Sequence, residues 1–240
     1  MALARKKRRG FRKKKRQPLL RFIFRALVAV FAFSVLWTLA YRFVPVPLTV
    51  PMIQDYAGGR PVRRDWVSLE RISPDLARGV IAAEDAKFCA HDGFDVAAIE
   101  KALEENEEGG RLRGASTISQ QTAKNAFLWP GRNFVRKGLE AYFTVLIEFL
   151  WGKERIMEVY LNIAEMGPGV YGAEAAAEYH FGKSAAQLTR TEAARLASIL
   201  PNPIERNAGT PGPFVRRHSS NVQRWIGIVE ADGQDDCIYG

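Results

Sequence analysis

A dense basic block runs directly into a long apolar stretch near the N-terminus, and that junction constrains the chain more than any other feature. Residues 5–16 read RKKRRGFRKKKR, Pro18 follows, and a hydrophobic stretch extends from Leu19 to Val44. Its uninterrupted apolar part, Ala26 to Tyr41, is bracketed by Arg25 and Arg42. As a helix that part would rise about 24 Å, short of a hydrocarbon core of ~30 Å. Extension to Phe22 and Phe43 closes the gap if Arg25 and Arg42 snorkel, and Trp37, Tyr41 and Phe43 suit the distal interface. A cleaved signal peptide would end in a small-residue site, whereas LAYRFVPVP follows here, so an uncleaved anchor is expected. The basic side stays in the cytoplasm, which places everything after Val44 across the membrane, away from ATP and nucleotide sugars.

This partition also explains the charge. The formal net charge is +9, but residues 1–42 hold 13 of the 35 Lys and Arg and no acidic residue. The other 198 residues carry 22 basic and 26 acidic side chains, a net of −4. A nucleic-acid-binding domain would carry its positive charge on the folded part, so nucleic acid is not an expected partner. Two cysteines do not make a disulfide framework. Cys237 lies so near the chain end, where tails fray, that a bridge to Cys89 is not expected. The three histidines, His91, His180 and His218, are too scattered for zinc.

Beyond the anchor, residues 45–65 are rich in Pro and Gly and read as an extended linker or a short strand. From Ser73 the pattern turns helical, with Ser73 as N-cap and Pro74 at the first helical position. Further helical runs are Asp95–Glu108, Ser116–Asn125, Phe134–Trp151, Lys153–Leu161, Tyr171–Phe181, Thr189–Ile199 and Pro213–Glu230. Loops are expected at Gly109–Ala115, Trp129–Asn133 and Gly167–Gly169, and period-2 strands are nearly absent. The organisation expected is a basic tail at 1–18, an anchor at 19–44, a linker at 45–70, a mainly α domain at 71–230 and a tail at 231–240.

Three segments could carry chemistry. EDAKFCAHDGFD places Glu84 and Asp85 at the end of an apolar helix, where burial can tune a carboxylate as a base. A solvent-facing helix end would use the same residues. RGASTISQQTAKN, residues 113–125, offers Ser116 as N-cap, with Gln120 and Lys124 on one helical face. Such a helix start suits a phosphate or sugar hydroxyls, although a polar surface helix is also compatible. In RNFVRKGLE, residues 132–140, Lys137 and Glu140 share a face, either as an ordinary ion pair or as part of a basic pocket for a metal–diphosphate.

EDAKFCAHDGFD, GASTISQQTAKN, RKGLE and KERIMEVYLN occur in that order, ahead of an Ala/Leu-rich helix ending in LPNP. Together they resemble the signature blocks of the peptidoglycan glycosyltransferases, glycosyltransferase family 51, over about residues 70–225. The resemblance implies a mainly α, partly lysozyme-like glycosyltransferase domain behind a single transmembrane helix. It implies an enzyme of the inner (cytoplasmic) membrane that joins lipid II to a polyprenyl-diphosphate glycan strand with inversion. Glu84 would be the general base, and Asp85 a supporting residue. Ser116, Gln120 and Gln121 would shape sugar–phosphate subsites, and Lys124, Arg132 and Lys137 would neutralise the diphosphate. Glu140 would orient those cations or hold a divalent cation, Mg or Mn. The bilayer, and cell-wall synthesis or division proteins, are the other partners implied. No SxxK…KTG set is present, so transpeptidase activity is not expected. The competing readings are a lytic transglycosylase, which has no use for a diphosphate cluster, and a non-catalytic scaffold.

Overall fold

The computed structural model describes residues 17–107, 116–131 and 133–240. It divides into two compact units, residues 1–37 and residues 38–240. Within the first unit the described chain is helical, part of α1 (Gln17–Phe43). Its side chains Leu20, Phe24, Leu27, Phe31 and Leu36 are exposed and apolar. Among the described residues this is the one helix long and apolar enough to cross a membrane, the composition of an anchor.

The second unit begins with the last turns of α1, whose backbone carbonyls accept from side chains of the domain. Trp151 Nε1 donates to Thr38 O at 2.7 Å, and Arg155 donates to Tyr41 O and Val44 O. A helix end that lacks its own amide partners is satisfied this way. The segment read as an extended linker or a short strand does hold a two-residue strand, Arg63–Arg64, but also contains α2 (Val50–Ala57), capped by Thr49 with Pro51 in its first turn. Composition suggested a linker because Pro and Gly flank this helix, yet Pro at its first turn favours it. Met52 anchors it in the core.

Two helical groups form the body. In the first, α3 (Pro74–Glu84) packs against α9 (Arg190–Ile199) and α10 (Pro213–Ala231). A Cβ on Gly79 would meet Ala197 and Ile226 side chains at 3.3 Å, so glycine lets these three helices approach closely. In the second, α5 (Ile118–Phe127) packs on α6 (Phe134–Leu150) and α7 (Lys153–Ile163). Phe127 and Phe143 stack at 4.5 Å between the first two. Helix α7 is buried along most of its length, through Ile156, Met157, Val159, Tyr160, Leu161 and Ile163. A helix apolar on this much of its circumference belongs inside a core.

The remaining helices are α4 (Val96–Glu107), α8 (Ala173–Phe181) and the short α11 (Asp236–Tyr239). A small sheet pairs β1 (Arg63–Arg64) parallel with β3 (Val170–Tyr171), and β3 antiparallel with β2 (Glu165–Gly167). These strands have two or three residues each, too few to show an alternating pattern in the sequence.

The cysteines depart from expectation. Cys89 and Cys237 form a disulfide across a sequence separation of 148. The terminal segment is not frayed, because Asp235 is buried and accepts from Arg78 Nε at 2.7 Å. Bridges of this kind typically contribute about 2–4 kcal/mol by constraining the unfolded chain.

Asn162 ties residue 67 to α7, since its amide accepts from Val67 N at 3.0 Å and donates to Val67 O at 2.9 Å. Asn162→Ala leaves both buried backbone groups unsatisfied. We expect a loss of roughly 2–4 kcal/mol, measured by denaturant unfolding, and a loss under 0.5 kcal/mol would contradict this account.

Candidate active site

Glu84 is the last residue of α3, and Asp85 is its C-cap. The buried Asp85 carboxylate accepts from Ile118 N at 3.0 Å and from His91 Nε2 at 2.9 Å. It therefore joins the end of α3 to the first turn of α5, a favourable place for an anion. The N-cap of α5 is Thr117, not Ser116. A capping box needs Ser or Thr followed three residues later by Glu or Gln. Thr117 has Gln120 at that spacing, whereas Ser116 has Ser119, which instead bonds Glu148. Gln120 is buried in this cap and is not in the walls of the cleft described below.

One turn along α5, Gln121 Nε2 donates to Glu84 Oε2 at 2.9 Å. Burial pushes the Glu84 carboxyl above its ordinary range, with Gln121 and Lys124 opposing and Asp85 reinforcing the shift. Tyr160 is fully buried nearby, and its hydroxyl lies 3.5 Å from Gln121 Oε1. Its phenol is held neutral, chiefly by burial and then by Glu84 and Asp85.

Two cavities of about 180 and 460 Å³ share Pro51, Lys124, Asn125 and Glu165 in their walls. The smaller includes Gln121 and Tyr160; the larger includes Trp129 and Arg136. Lys124 makes no ion pair among the described residues. Burial lowers its pKa, while Glu140 and Glu84 support its charge and Arg136 and Lys137 oppose it. Arg136 Nε is buried without a hydrogen-bond partner. An unpaired cation and an orphaned guanidinium N–H in cavity walls can receive anionic oxygens.

Glu140 is 2% exposed; it accepts from Arg136 Nη1 at 2.8 Å and also pairs with Lys137. Both its oxygens are thus engaged by cations, and no group of three metal-capable side chains exists among the described residues. Glu140 alone offers no all-protein cage for a divalent ion, which would need the substrate diphosphate for its other ligands. The carboxylate instead orients the two cations.

The structure thus brings Glu84, Gln121 and Lys124 together and sets Arg136, Lys137 and Glu140 beside them. Asp85 and Gln120 serve the scaffold, Ser116 precedes the cap, and Arg132 lies outside the described residues. Arg136 was missed, although its i, i+4 spacing to Glu140 was visible. Pro51, Tyr160 and Glu165 were missed because nothing local to them points to the cleft.

A partly buried carboxylate beside a cationic cleft in a helical, lysozyme-like domain defines a site for glycosyl chemistry. The transglycosylase family model matches residues 51–225, and the chain belongs to that family. Among its relatives are three proteins named biosynthetic peptidoglycan transglycosylase. That of Caulobacter vibrioides is 53% identical, with 92% of this chain and 96% of the relative covered. The Jannaschia sp. relative is 49% identical over 92% and 91%, and that of Pseudomonas aeruginosa 51% over 90% and 96%.

Because burial raises the Glu84 pKa, its protonated form is favoured by folding; that contribution to stability is present at low pH and lost as pH rises through the folded pKa. Glu84→Gln is therefore expected to unfold at neutral pH at a temperature no lower than wild type. Calorimetry checks this; a drop of several degrees would show that the charge contributes to stability.

Proposed function

We propose that the protein polymerises peptidoglycan glycan strands, transferring a growing polyprenyl-diphosphate-linked strand onto the 4-hydroxyl of lipid II. The observation that carries this reading is the pairing of a raised-pKa carboxylate, Glu84, with a cleft walled by unpaired Lys124 and the orphaned Nε of Arg136. A base near an acceptor hydroxyl and cations near a leaving diphosphate are the two demands of this reaction.

In the step proposed, the acceptor 4-oxygen attacks the anomeric carbon of the strand while Glu84 takes the hydroxyl proton. The bond from that carbon to the diphosphate oxygen breaks, and polyprenyl diphosphate leaves with the electron pair. Attack opposite the leaving group converts an α-linked diphosphate to a β-1,4 bond. Gln121 fixes the Glu84 carboxylate, while Lys124, Arg136 and Lys137 meet the growing negative charge; Arg132 is assigned the same role from sequence alone. A Mg or Mn ion is in this reading a companion of the substrate diphosphate, and no step depends on it. A lytic hydrolase would also use a glutamate, but it has no such leaving group for these cations to neutralise.

The same reading puts α1 in the inner membrane with the N-terminus cytoplasmic and the domain outside, in reach of lipid II. The Cys89–Cys237 disulfide supports this placement, because such bridges persist in oxidising compartments.

The deciding experiment is polymerisation of labelled lipid II by full-length protein in detergent, beside Glu84→Gln. Wild type should give polymer that lysozyme digests, and the variant should lose about 10²–10⁴-fold in rate. Anhydro-ended fragments released from sacculi, or full activity in the variant, would overturn the reading. Lys124→Ala should lower kcat by roughly 10²-fold through lost stabilisation of the leaving group; an effect on KM alone would place Lys124 outside the transition state.

A further inference from the structure

The C-terminal segment is tied to the chain on both sides of Glu84, at Arg78 and at Cys89. Arg78 lies on α3 ahead of Glu84, and Cys89 follows it in a short 3-10 turn, Phe88–Ala90. Both are held by the last residues of the chain. Arg78 donates through Nε to Asp235 and through Nη1 to Glu230, each at 2.7 Å, and its guanidinium lies 5.9 Å from the Tyr239 ring centroid. Asp235 is 4% exposed, so this pair is shielded from solvent on one side. Cys89 is bonded to Cys237 on α11, which packs against α7. The bracketed stretch includes Asp85 and leads directly to His91, whose ring holds the Asp85 carboxylate.

We propose that residues 230–239 form a positioning strap for Glu84, with the Cys89–Cys237 bridge and the Arg78–Asp235 pair holding the backbone on either side of it. The inference rests on the proposed role of Glu84 as base. The strap does not touch substrate: Cys89 fixes the turn, the turn fixes His91 and Asp85, and Asp85 fixes the start of α5, from which Gln121 reaches Glu84. Displacements of about 1 Å at a reacting group can cost on the order of 10²-fold in rate. The groups facing Glu84 are Asp85 beside it, Gln121 and Lys124 from α5, and Tyr160 from α7. A loosened strap lets water reach this set and relieves the burial that raises the Glu84 pKa.

The test uses full-length protein in detergent, oxidised, reduced with dithiothreitol, and as the Cys89→Ser/Cys237→Ser variant, with thiols counted by alkylation. Opening the bridge should lower kcat by about tenfold or more, leave KM for lipid II within about twofold, and move the acidic limb of the kcat profile to lower pH. Hydrogen exchange should rise across residues 84–93 as well as at the C-terminus. Asp235→Asn, which keeps the bridge, should shift the same readouts in the same direction. Unchanged kcat and pH limb, with faster exchange confined to residues 231–240, would overturn the proposal and leave the bridge a staple of the terminus. If oxidised wild type makes no polymer, the proposed reaction fails, and exchange across residues 84–93 then decides the strap by itself.

Discussion

The Asp85 carboxylate links two helices that are far apart in sequence, and the geometry of the site depends on that link. It receives the Ile118 amide at the open start of α5 and the His91 ring from the turn that follows α3. A buried carboxylate is costly unless its lone pairs are satisfied, and here charge-assisted bonds satisfy them. The consequence is positional. With the first turn of α5 held against the last residue of α3, Gln121 can reach Glu84, and Lys124 follows three residues later on α5. The capping box of Thr117 and Gln120 keeps that first turn regular.

The charges within the cleft oppose the stability of the fold that holds them. Glu84 and Lys124 are both shifted by burial toward their neutral forms, and they only partly compensate each other. Lys124 also shares its surroundings with Arg136 and Lys137, and among the described residues Glu140 is the carboxylate that pairs with those two. In the reaction proposed, the site would receive a dianionic group, which cations sharing a single carboxylate can stabilise. Glu140 holds two of the cations, and in the proposed reaction Lys124 and the Arg136 Nε atom are then left for the ligand.

Around the cleft, segments that look peripheral in sequence are structural. Helix α2 brings Pro51 into the walls of both cavities. The last residues of the chain hold α3 through Arg78 and the following turn through Cys89. The end of α1 is received by Trp151 and Arg155, which donate to its backbone carbonyls. The contacts of the chain end and of α1 each join residues more than a hundred positions apart, and Pro51 meets α5 residues about seventy positions away, so no local pattern announces them.

The anchor, the mainly helical class, the approximate helix spans and the candidate residues Glu84, Gln121, Lys124 and Glu140 were all legible in the sequence. Apolar length, 3.6-residue periodicity and motif order are local properties, and local properties survive in one dimension. The tertiary structure decided which of those candidates meet. It sent Asp85 and Gln120 to the scaffold, moved the cap of α5 from Ser116 to Thr117, and added Arg136 beside Glu140. It also paired Cys89 with Cys237, against the expectation drawn from Cys237's place near the end. The physical reason is that a side chain's role depends on its burial and on the partners that folding brings to it, and neither is set by its neighbours along the chain.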